Sequence, residues 1–118
     1  MKKKLIEILG ADDNVQFAYL FGSYADDSFT EKSDVDIAVY LYDHSFDAKI
    51  SLHHTLEKAL YKDVDMVCLN EVKNIYLLEN ILNNGILMKD HEDRDFFEVK
   101  KQHEIIDFKN FKRYIDAA

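Results

Sequence analysis

Asp34 and Asp36 open an apolar run that continues as Ile37-Ala38-Val39-Tyr40-Leu41. In a strand, alternate side chains share a face, so both carboxylates point the same way, with Cα atoms roughly 6–7 Å apart. Two acids so placed repel unless a cation lies between them. A hard divalent ion such as Mg²⁺ suits these oxygen donors, with substrate phosphates completing its shell. In a paired site a second ion would share the carboxylates and clamp the attacking and leaving oxygens. Gly22-Ser23, separated from Asp34 by ten residues, follows the end of Val15-Gln16-Phe17-Ala18-Tyr19-Leu20-Phe21. Glycine there lets backbone approach a phosphate closely, and Ser23 can donate from its hydroxyl and its N–H. A helix starting at this point would add free N–H groups. Asp65 supplies a third acid near the start of Asp63-Val64-Asp65-Met66-Val67-Cys68-Leu69. If that run pairs beside the second strand, the three acids converge, and Asp65 can ligate a metal and accept a proton from an attacking hydroxyl. Alone, Gly-Ser reads as an ordinary turn and Asp-x-Asp as a solvated strand end. Their combination points to metal-assisted chemistry on a phosphate.

The elements that must hold these residues follow from the hydrophobic period, which switches several times along the chain. Lys3 to Leu9 reads as a short amphipathic helix that Gly10 can end. Val15–Phe21 is rich in strand formers. Asp34–Leu41 is a second strand whose second half is nearly all apolar, as in a buried central strand. Ser45 can cap a helix from about Phe46 to Tyr61, with Ile50, Leu52, Leu56, Ala59 and Leu60 as its core face. Asp63–Leu69 is a third strand, and Asn70 is a candidate cap for a helix over Glu71 to Leu82. Gly85 then falls where a left-handed residue is preferred. Ile86–Met88 makes a short fourth strand, and a helical pattern runs from about Glu92 onward. A short helix fits in the polar stretch between the first two strands. The order α-β-β-α-β-α-β-α predicts an α/β (α+β) fold with a mixed sheet of about four strands flanked by helices.

Composition bounds the rest. The 118 residues fit one domain, 1–118, and 47% apolar with 32% charged residues is ordinary for a globular chain. No apolar run is long enough to span a membrane. Met1-Lys2-Lys3-Lys4 is basic, but Glu7 interrupts the apolar stretch and no small-residue cleavage site follows, so a signal peptide is not expected. One cysteine, Cys68, excludes an internal disulfide and a multi-cysteine zinc site, and reads as a buried strand residue. These features together favour the cytoplasm. A net charge of −8 argues against direct stable binding to a nucleic-acid backbone. Handling a nucleotide needs a metal ion to screen its phosphates.

Gly22-Ser23, ten residues and Asp34-x-Asp36 resemble the signature of the DNA polymerase β-like nucleotidyltransferase superfamily. The small size is similar to the minimal nucleotidyltransferases, or MNT proteins, which are usually paired with a HEPN-domain protein in prokaryotic toxin–antitoxin modules. The motif covers Phe21 to Val39 closely, and Val64-Asp65-Met66-Val67 fits the strand of the third carboxylate. Asp95-Phe96-Phe97-Glu98 through Ile106-Asp107-Phe108 looks like the C-terminal helix of antitoxin-type members. The resemblance implies Mg²⁺ on Asp34, Asp36 and Asp65, and nucleotide phosphates on Gly22 and Ser23. It implies an antitoxin that transfers AMP from ATP to a tyrosine hydroxyl of a HEPN ribonuclease toxin and silences it. Two other readings stay open: an antitoxin that neutralises by binding alone, and a nucleotidyltransferase acting on a small-molecule hydroxyl.

Many relatives read Gly-Ser-x-Ala-Arg, whereas Asp26 follows Ala25 here. An Arg could steady a phosphate or the local turn, and an Asp is not expected to do either. Lys32 is the only cation between Ser23 and Asp34. His44, His53, His54, His91 and His103 are expected at structural or surface positions. The helix from about 92 is a packing or partner-docking element. Phe96, Phe97, Phe108 and Phe111 are expected mostly to cover the sheet. Lys100, Lys101, Lys109, Lys112 and Arg113 make it partly basic.

Overall fold

The computed structural model describes residues 1–117. Strand β1 (Val15–Phe21) is buried along its whole length, because it lies inside the sheet and is covered on both faces. On one side it pairs antiparallel with β2 (Val35–Leu41), and on the other with β4 (Ile86–Lys89). Beyond β2 lies β3 (Val64–Cys68), parallel to it, so the mixed sheet has the order β3-β2-β1-β4. Helix α2 (Phe46–Leu60) makes the crossover that a parallel pair requires. Its cap is Ser45, whose side chain accepts from Ala48 N.

Strand alternation divides the core in two. Leu20, Ile37 and Val39 face α1 (Lys2–Ala11) and α2, packing with Leu5, Leu9, Leu52 and Leu56. Phe17, Tyr19 and Ala38 face α3 (Ile75–Asn84) and α4 (Arg94–Ala117), packing with Leu78, Ile81, Phe97 and Ile105. Each fully buried leucine or phenylalanine here contributes about 1.5–3 kcal/mol. Among the described residues no helix is long and apolar enough to cross a membrane.

Several expectations are corrected. Gly10 does not end α1, which runs to Ala11 and stops at Asp12, whose carboxylate accepts from Asn14 N. Helix α2 ends at Leu60, where Tyr61 turns left-handed at φ 55°. Leu52 and Leu56 bury, but Ile50 stays 50% exposed because it lies on another side of the helix. Asn70 caps no helix. It clamps the end of β2, with its Oδ1 accepting from Leu41 N and its Nδ2 donating to Leu41 O, both at 2.9 Å. The cap of α3 is Asn74, which accepts from Tyr76 N and Leu77 N. Gly85 is not left-handed (φ −70°); a Cβ there would lie 2.3 Å from Ile81 O, so close packing is what requires glycine.

The aromatic residues of α4 behave differently from expectation too. Only Phe97 is buried, while Phe96 and Phe111 are exposed and Phe108 is more than a third exposed. A helix of 24 residues is about 36 Å long. It outruns the sheet, and beyond Ile105 its residues from 106 to 116 all lie exposed. Cys68 is half-buried rather than enclosed.

Candidate active site

The site forms where β1 ends. Gly22 leaves the strand at φ 71°, a left-handed conformation that glycine adopts without a Cβ penalty. A single 3₁₀ turn, Gly22–Tyr24, follows at once, with Ala25 N and Asp26 N donating to Gly22 O. This is the short helix expected between the strands. Register sets Phe21 opposite Asp36. A Cβ on Gly22 would meet Asp36 Oδ2 at 2.1 Å, so glycine is required both for the turn and for the carboxylate beside it. The Ser23 side chain is partly accessible next to this contact.

The parallel pairing brings the acids together. Asp36 on β2 lies in register with Asp65 on β3, so the two share a face at neighbouring positions. Asp34, just before β2, has the same parity as Asp36. Asp34 and Asp65 are exposed and Asp36 is half-buried. The Asp36 carboxyl is pushed above its ordinary value, first by burial and then by the negative charges of Asp65 and Asp34. All three acids therefore sit in one electrostatic field. Among the described residues, no three or more His, Cys, Asp or Glu side chains already form a group that could hold a metal ion. Asp36 and Asp65 are the pair in register that could offer oxygen donors to an ion such as Mg²⁺, which takes one or two carboxylates and keeps positions for phosphate and water.

Three cavities lie around the site, one lined by Asp34, one by Asp65 and one by Tyr24 of the turn, while Gly22, Ser23 and Asp36 line none of them. One of about 600 Å³ is lined by Lys32, Asp34, Glu57 and Lys62 among others. A second, about 740 Å³, lies beside Tyr24, Phe29 and Lys62. A third, about 530 Å³, runs along β3 past Asp65. Tyr24 stacks on Phe29 with ring centroids 4.4 Å apart, and the Lys62 ammonium sits 5.7 Å from the Tyr24 ring centre. Sequence reasoning missed Lys62. The signal was its place just ahead of Asp63-Val64-Asp65. A strand parallel to β2 brings the residues before it beside those before Asp34. Asp26 also differs from expectation, because it does steady the local turn. Its carboxylate accepts from both the N–H and the hydroxyl of Ser28, which holds its pKa below the usual range, and Asp27 takes φ 62°.

Comparison with known proteins bears on the family and the fold. Residues 3–94 match the family model described as polymerase beta, nucleotidyltransferase. The chain is 33% identical over 103 residues to the protein adenylyltransferase MntA of Shewanella oneidensis, covering 84% of this chain and 73% of that one. It superposes on a chain of a toxin–antitoxin crystal structure with AMP-PNP at a TM-score of 0.81, with 28% identity, covering 98% of this chain and 95% of the other. It is also similar, at a TM-score of 0.74 and 28% identity over 98% of this chain and 92% of that chain, to a structure of a tri-AMPylated Shewanella oneidensis HEPN toxin in complex with its MNT antitoxin. A glycine turn pressed on the Asp36 carboxylate, in a fold shared over nearly the whole chain, places this protein in the polymerase β-like nucleotidyltransferase family, among the minimal members related to the MntA antitoxin of HEPN toxin systems.

Proposed function

We propose that this protein is an antitoxin-type adenylyltransferase that moves AMP from ATP to a tyrosine hydroxyl of a cognate HEPN ribonuclease toxin and so neutralises it. The observation that carries the proposal is the row formed by Gly22, just past the end of β1, with Asp36 on β2 and Asp65 on β3. The relatives support the choice of substrates, since one was crystallised with AMP-PNP and another with an AMPylated HEPN toxin.

In this reading Gly22 and Ser23 receive the triphosphate, with the open face of the Gly22–Tyr24 turn toward it. Asp34, Asp36 and Asp65 would hold Mg²⁺, which supplies charge neutralisation to the phosphates and a template for in-line displacement. Asp65, the most accessible side of the row, takes the proton of the acceptor hydroxyl. The acceptor oxygen forms its bond to the α-phosphorus, the bond from that phosphorus to the bridging oxygen breaks, and pyrophosphate carries away the electron pair. Lys62 provides positive charge beside Asp34. Rate enhancement comes chiefly from positioning and charge stabilisation, which a small scaffold can supply.

The test uses purified protein, purified HEPN toxin and ATP labelled at the α-phosphate. Label is expected on the toxin, with pyrophosphate released in equal amount, and it is lost with EDTA or with Asp65→Asn. Toxin neutralised without label would instead establish an antitoxin that acts by binding alone.

A further inference from the structure

The nucleotide and the acceptor must reach the reacting phosphorus from opposite sides, since attacking and leaving oxygens lie roughly in line. Gly22-Ser23 closes the β1 end of the row. The acceptor's approach is therefore over β3, the last strand of the sheet.

That edge is unpaired in one place only. Val35 N donates to Asp63 O and Leu69 N donates to Val39 O, which fixes the parity of the ladder. Odd-numbered residues of β3 bond to β2, and Val64, Met66 and Cys68 turn their backbone groups outward. Side chains of α2 cover the first of these: Val64 N donates to Glu57 Oε2 at 3.0 Å, and His53 Nε2 donates to Val64 O at 2.7 Å. Cys68 O accepts from Glu71 N. What stays open is the N–H and C=O of Met66 and the N–H of Cys68. They border the cavity of about 530 Å³, which Asp65 also lines. Its walls carry apolar side chains without a partner across them, including Phe46 at 72% and Ile50 at 50% exposure. Between them the Lys49 ammonium meets Glu71 at 2.6 Å.

We infer that this groove is the acceptor subsite, and that its occupant is an extended segment of the acceptor polypeptide laid as an added strand against β3. A row of free main-chain donors and acceptors next to apolar walls matches a peptide, which brings main-chain groups at the same spacing and side chains at alternate positions. A small-molecule hydroxyl would have no use for it. Pairing with Met66 and Cys68 sets the segment's register, and register presents one hydroxyl side chain to Asp65. The inference rests on the adenylyltransferase reading but is measured separately from it.

Hydrogen exchange of the full chain is followed with and without the purified HEPN toxin. The Met66 and Cys68 amides are expected to slow about tenfold or more on binding, as a main-chain hydrogen bond replaces water. Alkylation of Cys68 slows with them. Met66→Pro removes the outward N–H, a change edge strands tolerate, and Ile50→Glu charges the apolar wall. Each is expected to raise the KM for toxin about tenfold, the scale of one lost hydrogen bond or apolar contact, with AMP-PNP affinity retained. Protection without AMP transfer upholds the groove and refutes the adenylyltransferase reading. AMP transfer with no protection, and with both variants at wild-type KM, overturns the groove and leaves the activity standing. A toxin that does not protect these amides and receives no AMP overturns both.

Discussion

Gly22 and Asp36 are in contact across the ends of β1 and β2: no side chain larger than hydrogen fits between the turn and the Asp36 carboxylate, where a Cβ would lie 2.1 Å from Oδ2. The turn after β1 and the central acid thus form one structural unit. Gly22→Ala is expected to destabilise the fold by about 1–2 kcal/mol through its left-handed φ and to displace the carboxylate. Thermal melts read the first effect. The second appears as a loss of AMP transfer of about 100-fold, the scale of a misplaced reacting group. Unchanged transfer would show that the contact is incidental.

Asp36→Asn has an opposite effect on stability. The folded protein holds the Asp36 proton more tightly than the unfolded chain, because of burial and then the charges of Asp65 and Asp34. The stabilising neutral form is fully present below the ordinary carboxyl value of about 4 and is lost as pH rises through the raised folded value. In EDTA at pH 7, Asp36→Asn is expected to melt above wild type, by up to about 1 kcal/mol given solvent screening. The advantage disappears on acidification toward pH 4. Calorimetry across that range reads it, and a variant melting below wild type at pH 7 contradicts it.

Tyr19 ties the sheet to α4. Its hydroxyl donates to Glu98, which Arg94 Nη1 also meets at 3.0 Å. Burial, followed by the Glu98 hydrogen bond and charge, pushes the phenol far above the ordinary 10. The proton is held more tightly in the folded state, so this contribution is intact below about pH 10 and is lost as pH rises further. Tyr19→Phe is expected to cost about 1–3 kcal/mol, and the wild-type ultraviolet titration should show one of the seven tyrosines ionising only with unfolding.

Asn70→Ala removes both hydrogen bonds to Leu41, a residue 1% exposed. Leaving that backbone pair unsatisfied is expected to cost about 1–3 kcal/mol. Urea denaturation with an unchanged m-value checks it, and a loss below about 0.5 kcal/mol, half the smallest expected cost, contradicts it.

The sequence itself carries much of the fold. Val15–Phe21 and the Ser45 cap coincide with the expectations because local composition and capping chemistry decide them. Asp34, Asp36 and Asp65 stand out by spacing, but the placing of Asp36 beside Asp65 depends on the parallel register of β2 and β3, which no local pattern encodes. Asn70 and Asn74 are equally good caps by type, and only the end of β2 decides which one is used. Lys62 was missed for the same non-local reason. Phe96, Phe108 and Phe111 do not cover the sheet as expected, because aromatic content reports burial only where a partner surface extends as far as the helix does.

The central claim is tested most directly by the intact mass of the HEPN toxin after co-expression with this protein, wild type against the double variant Asp34→Ala, Asp36→Ala. The account predicts AMP-sized increments on the toxin with wild type alone, mapping to a tyrosine. A toxin of unmodified mass that nevertheless co-purifies and is silenced by both forms would contradict it.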